Sequence, residues 1–238
     1  MIAILKKEFN SFFASPIAYL VIGVFLLLNG LFLFIFKDDF NILNAGFADL
    51  NSFFFLTPWV FIFLIPAITM KSFADEFSNG TIELLKTKPI SNWQIVLGKF
   101  WAALLLVVIA LLPTITYVYT VYQLANPIGN IDFGATIGSY IGLFFLAATY
   151  TAIGLFTSTL SKNQIVAFIL GVFSTFFLFY GFDAISNSFD NNLTIQQIGI
   201  NEHFKSISRG IIDTRDLVYF TSVTLFFLFM TKTRLENE

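Results

Sequence analysis

The chain has 238 residues, of which 57% are hydrophobic and only 12% charged, with 33 phenylalanines and a mean hydropathy of +0.80. So few charges cannot cover a water-soluble globule, whose charged share is about 25%, so the chain belongs in a bilayer. A net charge of −2 leaves no basic surface for nucleic acid, the lack of cysteine excludes disulfides and thiolate chemistry, and the lone His203 excludes a multi-histidine metal site.

The expected fold is all-α: a polytopic membrane protein with six transmembrane helices in a single transmembrane domain over 1–238. Residues 1–14 come first. Ile2, Leu5, Phe9, Phe12 and Phe13 share one helical face, with Ile4 off the pattern, which suggests an amphipathic helix lying in the membrane interface rather than a frayed tail. Charge-free runs then mark the spans: Phe9–Phe36, Leu50–Met70, Phe100–Ile131, Phe133–Ser161, Asn163–Phe182 and Leu217–Thr231. About 20 apolar residues cross the hydrocarbon core, so the first five suffice. The sixth is short, and spans if the bilayer thins locally or if Arg215 and Lys232 snorkel to opposite interfaces. The helices are expected near 17–36, 53–70, 99–122, 136–160, 164–182 and 217–231.

Start signals agree with these limits. Ser15-Pro16 offers a capping hydroxyl and a proline at the first helical position. Ser91-Asn92-Trp93-Gln94 and Ser161-Lys162-Asn163-Gln164 have the capping-box spacing, and Asp213 before Asp216 is a weaker version. The first apolar run follows Lys6 and Lys7 but is too long for a signal peptide and lacks a small-x-small cleavage site, so a retained helix is expected.

With the N-terminus inside, the inner segments carry Lys6, Lys7, Lys71, Lys86, Lys88, Lys99, Lys162, Lys232 and Arg234, against Lys37, Lys205, Arg209 and Arg215 outside. That asymmetry places both termini in the cytoplasm. It also puts Trp93 and Trp101 near the inner interface, and Tyr117, Tyr119, Tyr122, Tyr140, Tyr180 and Tyr219 near the outer one.

The spans hold essentially no ionisable group, so a proton relay is not expected. Gly98-Lys99 is followed by Phe100, and Trp93 stands where a P-loop requires glycine. Tyr180-Gly181-Phe182-Asp183 has no second intramembrane aspartate to make a protease dyad, and Asp183 reads as a helix-end charge at the interface. Catalytic, cofactor-binding and metal residues are therefore absent from the expectation. In the fourth span Gly138, Gly142, Ala147, Ala148, Thr151, Ala152 and Gly154 form a small-residue face. It serves either packing within one subunit or a subunit interface.

Between the second and third spans, 71–98 forms the long inner loop. Asn79-Gly80 is a turn, and Thr81 through Lys88 make about two helical turns before Pro89. Ile82, Leu84 and Leu85 give that helix an apolar face suited to docking on a partner, with Glu83 placed to meet a basic group. Here the sequence resembles the ABC-2 family of ABC-transporter permeases. The resemblance rests on Asp75-Glu76, Gly80-Thr81-Ile82-Glu83-Leu84-Leu85, Pro89-Ile90-Ser91 and Leu97-Gly98-Lys99. It extends to Lys6-Lys7-Glu8-Phe9 with Ser15-Pro16, and to Gly154-Leu155-Phe156 through Asn163-Gln164.

The resemblance implies a non-enzymatic permease of a bacterial inner membrane. It would pair with a second permease subunit, as a homo- or heterodimer, and with a cytoplasmic ABC ATPase that binds the ATP. Gly80, Thr81, Ile82, Glu83, Leu84, Leu85 and Lys86 would then couple the permease to the ATPase. A narrower match covers Glu202-His203-Phe204 and Ser208-Arg209-Gly210-Ile211-Ile212-Asp213-Thr214-Arg215-Asp216-Leu217-Val218-Tyr219-Phe220. It resembles the branch holding the gliding-motility-associated permeases and those of nitrous-oxide reductase maturation, with the gliding-motility members nearer.

The outer loop at 183–216 carries Ile195, Ile198, Phe204, Ile207 and Ile211 at mostly helical spacing, so short amphipathic helices are expected. Of its candidate residues His203, Arg209, Asp213 and Arg215, the first two either anchor headgroups, line an exit, or are ordinary surface groups. A stand-alone channel, or a scaffold for a motility or secretion apparatus, is the rival to an ATP-driven exporter.

Overall fold

The computed structural model describes residues 1–44, 46–188, 193–211 and 213–237, apart from the side chains of Lys86 and Leu193. Among these the regular elements are helices, without a strand. The chain starts with α1 (Ile2–Ala14) and α2 (Pro16–Gly30), which a π-turn over Leu31–Ile35 extends. Next come α3 (Asn51–Thr69), α4 (Lys71–Ser78), α5 (Thr81–Lys86), α6 (Asn92–Leu111) and, after a short 3₁₀ turn, α7 (Ile115–Leu124). Then follow α8 (Phe133–Ser158), α9 (Gln164–Phe176), a π-turn over Phe177–Gly181 and α10 (Phe182–Ser188). The chain closes with α11 (Leu193–Gln196), α12 (Ile200–Ser208) and α13 (Thr214–Glu236).

Among the described residues, five segments are long and apolar enough to cross a membrane: Pro16–Ile35, Asn51–Ser78, Asn92–Leu124, Phe133–Ser158 and Gln164–Ser188. The 23 residues of α13 have the length, but Asp216 and Lys232 bound a charge-free core of only 15 residues, Leu217–Thr231.

Caps explain where several helices begin. Ser15 Oγ accepts from the N–H of Ile17, and Pro16 takes the first helical position. Ser91 and Gln94 form a reciprocal capping box at α6. At α9 the cap differs from expectation. Asn163 accepts from Ile165 N–H (2.8 Å), while Ser161 accepts from Asn163 N–H (3.0 Å). A chain of two Asx/Ser turns here replaces the capping box, because Asn163 can bond the first free helical N–H directly. Asp213 does cap α13, accepting from Arg215 N–H (2.9 Å). Asp216 instead pairs with His203.

The core forms around α8, which packs against α3, α6, α9, α12 and α13. Its small residues permit this. A Cβ on Gly154 would collide with the Thr69 hydroxyl of α3, and one on Gly138 would lie 2.8 Å from the Ile207 carbonyl of α12. Gly142 sits under Phe204. The small face thus serves packing within the subunit. Pro66 inside α3 withholds an N–H from the Ile62 carbonyl, which instead lies 3.5 Å from the Thr175 hydroxyl of α9.

Two boundaries moved. The stretch 71–98 is not a free loop: α4 prolongs the second span to Ser78, and α6 already begins at Asn92. Only α5 and its flanking turns, entered through Gly80 at φ +66, lie outside the long helices. And Ile4, off the apolar pattern of α1, is its buried residue. It meets the bare backbone of α6 at Gly98, where a Cβ would lie 2.9 Å from it. The side of α1 carrying Ile4 and Glu8 meets protein, so the pattern of Ile2, Leu5 and Phe9 marks a different side.

Candidate functional site

At one end of the bundle α1, α4, α5 and the first turns of α6 and α9 meet. Lys99 lies at their centre with 2% of its side chain exposed. An ammonium has three donors and a buried one must spend all of them. The Lys99 Nζ donates to the Ser72 carbonyl (2.7 Å), Glu76 Oε1 (2.9 Å) and Glu8 Oε1 (3.1 Å). It also stands 5.0 Å from the centroid of the Phe73 ring. Three helices, α1, α4 and α6, are tied through one cation. Exposed Lys7 adds weaker pairs to Glu8 (3.4 Å) and Glu76 (3.8 Å). Glu76 Oε2 is buried without a hydrogen-bond partner among the described residues. One residue earlier on α4, Asp75 Oδ1 accepts from the Gln164 side-chain amide, which fastens α9 to the same junction.

On α5 the three apolar candidates separate. Ile82 is buried within the chain and Leu85 is half-buried against the core. Only Leu84 stands clear, 67% exposed. The expectation of a three-residue docking face is thus corrected: a helix of under two turns lying on α4 turns Ile82 inward and spends part of Leu85 on its own anchorage. Glu83 and Thr81 are exposed, and the side chain of Lys86 lies outside the described residues.

The opposite end holds the remaining candidates. His203 Nδ1 lies 2.7 Å from Asp216 Oδ1 and Nε2 lies 2.8 Å from the Gln197 carbonyl, so both ring nitrogens face acceptors. The ring stacks on Tyr219 at 3.8 Å, and the Tyr219 hydroxyl donates to the Ile198 carbonyl (2.6 Å). His203 therefore joins α12 to α13 as structure. Asp213 is a cap, Arg209 and Arg215 are exposed, and Ile212 lies outside the described residues. The amphipathic pattern holds in part: Phe204 and Ile207 are buried with Ile200, whereas Ile198 and Ile211 are exposed. Asp183, in the first turn of α10, is not an open surface charge. It is 7% exposed, takes a hydrogen bond from Asn201 (2.5 Å) and has Lys205 Nζ at 3.7 Å, because α12 folds back over it.

The residues brought together at Lys99 are those on which the family resemblance rests, though Glu8 is 91 positions from Lys99 and Gln164 is 89 from Asp75. The profile described as ABC-2 family transporter protein matches residues 2–234. The chain belongs to the ABC-2 transporter family. No curated protein matches it. Members of this family are membrane subunits of transporters, which suits a multi-pass chain of apolar helices. Glu8, Asp75, Glu76, Lys99 and Gln164 of this ABC-2 junction stand in the stretches that carry the resemblance, Ser72 and Phe73 do not, and the reading of the sequence assigned none of them a contact. The signal was a lysine two turns into an otherwise apolar helix, where an uncompensated charge is costly.

Proposed function

We propose that the chain is the permease subunit of an ATP-driven ABC-2 exporter in a bacterial inner membrane. In this reading α13 is a sixth span, both termini are cytoplasmic, and a separate ATPase docks where α5 leaves the bundle. The observation that carries it is the Lys99 cluster. A push on α5 and α4 would reach α1 and α6 through ionic contacts of 2.9 and 3.1 Å, and α9 through Asp75 and Gln164, without passing through a flexible loop. With no nucleotide site in the sequence, the work must enter from outside, and exposed Leu84 beside Glu83 is the surface offered. A second permease copy belongs to the same reading, since the first and fifth spans are the least covered by the rest of the chain.

Affinity purification from mild detergent tests this. The wild type should bring down an ABC ATPase with permease and ATPase in equal numbers. Leu84→Asp should insert normally yet lose the ATPase about 5- to 100-fold, the cost of one buried polar group without a partner. Undiminished ATPase recovery together with full transport function would reject α5 as the docking element. Recovery of no ATPase from the wild type would favour the channel or scaffold reading. Reporter fusions after Ser91 should read cytoplasm and those near Asn130 periplasm; the reverse overturns the orientation. The residues 202–220 support a gliding-motility role, for which deletion of the gene should abolish surface spreading without slowing growth.

A further inference from the structure

On the flank of the bundle, α2 has open space on both of its sides. One groove of about 520 Å³ runs between α2 and α3, lined by residues such as Leu20, Val24, Leu28, Trp59 and Phe63. A second, of about 710 Å³, follows the other side of α2 from Ser15 and Pro16 to Leu27. Leu20 and Val24 line both and form the ridge that parts them. Gly23 keeps the second groove open, since a Cβ there would meet nothing within 4 Å. We propose that the two grooves seat one anionic phospholipid, with an acyl chain in each groove and the headgroup at the Lys99 end of the bundle.

Depth is the first reason. The Lys99 end is where α1, packed on Gly98, gives way to α2, and where α3 runs into α4 beside Ser72. Both grooves therefore start at that membrane surface, and Leu20 to Leu28 reach about 12 Å inward along the helix. Two apolar channels that start at one level on either side of a ridge match a lipid with two chains and one headgroup. Charge is the second reason. Along α3 the groove face steps through Trp59, Phe63 and Ala67 at four-residue intervals, and the next position is exposed Lys71. Asp75, one turn further, accepts from the Gln164 amide, which brings exposed Lys162 to the same mouth. Neither lysine has an ion pair among the described residues. Two cations against one carboxylate leave the mouth positive, and basic pockets between membrane helices hold anionic headgroups.

A second copy of the chain is the rival occupant. Around a two-fold axis along the membrane normal it would bring its own Lys71 and Lys162 to the same depth, like charge toward like charge. Exposed Ile169 and Phe173 on α9 line neither groove and remain free for such a copy. A lipid seat of this kind requires neither ATP-driven transport nor a given orientation in the membrane.

The test uses the full chain in phosphatidylcholine bilayers. Trp59 lines the groove, and Trp93→Phe/Trp101→Phe leaves it as the sole tryptophan. Bromine on an acyl chain quenches a tryptophan that it touches, so dibrominated phosphatidylglycerol and dibrominated phosphatidylcholine are titrated in turn. Phosphatidylglycerol should reach half-maximal quenching at a mole fraction about fivefold lower, the effect of one lysine at a headgroup. Lys71→Gln/Lys162→Gln should abolish that preference and leave quenching by phosphatidylcholine unchanged. Ala67→Phe, which fills the groove, should weaken quenching by phosphatidylglycerol several-fold. If the tryptophan variant folds poorly, native mass spectrometry of the unmodified chain should show phosphatidylglycerol retained over phosphatidylcholine. Equal quenching by the two lipids overturns the proposal, as does a preference that survives loss of both lysines. Quenching by neither lipid means that protein closes the groove, a second copy included, and overturns it too.

Discussion

The two ends of the bundle treat buried charge in opposite ways. At the α1–α4–α6 junction one cation meets three acceptors from two other helices within 3.1 Å. At the far end a carboxylate is held by one amide and a lysine at 3.7 Å, beside a cavity rimmed with amides. The first arrangement joins elements rigidly. The second leaves Asp183 Oδ1 buried without a hydrogen-bond partner among the described residues.

The contrast can be broken first at Lys99. Lys99→Met leaves Glu8 and Glu76 facing each other without their shared cation, and removing one partner of a buried pair costs about 3–5 kcal/mol. Thermal unfolding in detergent should fall sharply. Adding Glu8→Gln and Glu76→Gln should restore part of the loss, because the orphaned charges go with the lysine. A variant as stable as the wild type would mean that the junction is not held by charge.

A smaller effect is expected at the far end. His203→Ala strips a hydrogen bond from Asp216, whose Oδ2 is already without a partner among the described residues, at a cost of about 1–3 kcal/mol. Limited proteolysis should show cleavage around α12 at lower protease concentration, with the α1–α4–α6 end unchanged. Equal loosening of both ends would deny them independence. The smallest effect is at the α9 cap: Asn163→Ala should lower stability by about 1 kcal/mol, measured by the same melting assay, whereas Ser161→Ala should cost less. The reverse order would restore the Ser161 capping box.

The sequence by itself determined the membrane setting, the helical class and most helix limits. These follow from local properties: charge-free length, a proline or a capping side chain at a given position, and a Gly80 turn, all of which act within a few residues. Glu8, Asp75, Glu76, Lys99 and Gln164 of the junction also stand in the stretches that carry the family resemblance, with their partners left open.

Tertiary structure alone decided which of those residues meet. Lys99 is a cytoplasmic charge by count and a buried clamp by position, since Glu8 and Glu76 reach it only once α1 and α4 pack on α6. Ile4 defied the amphipathic pattern because its partner is the bare backbone at Gly98, and a periodicity argument takes no account of what lies opposite. Gly138 and Gly142 left the choice between packing and interface open until Ile207 and Phe204 of α12 occupied the space above them. Asp183 looked like a surface charge until α12 covered it. In each case the deciding contact joins residues distant in the chain, and only the folded arrangement sets the distance between them.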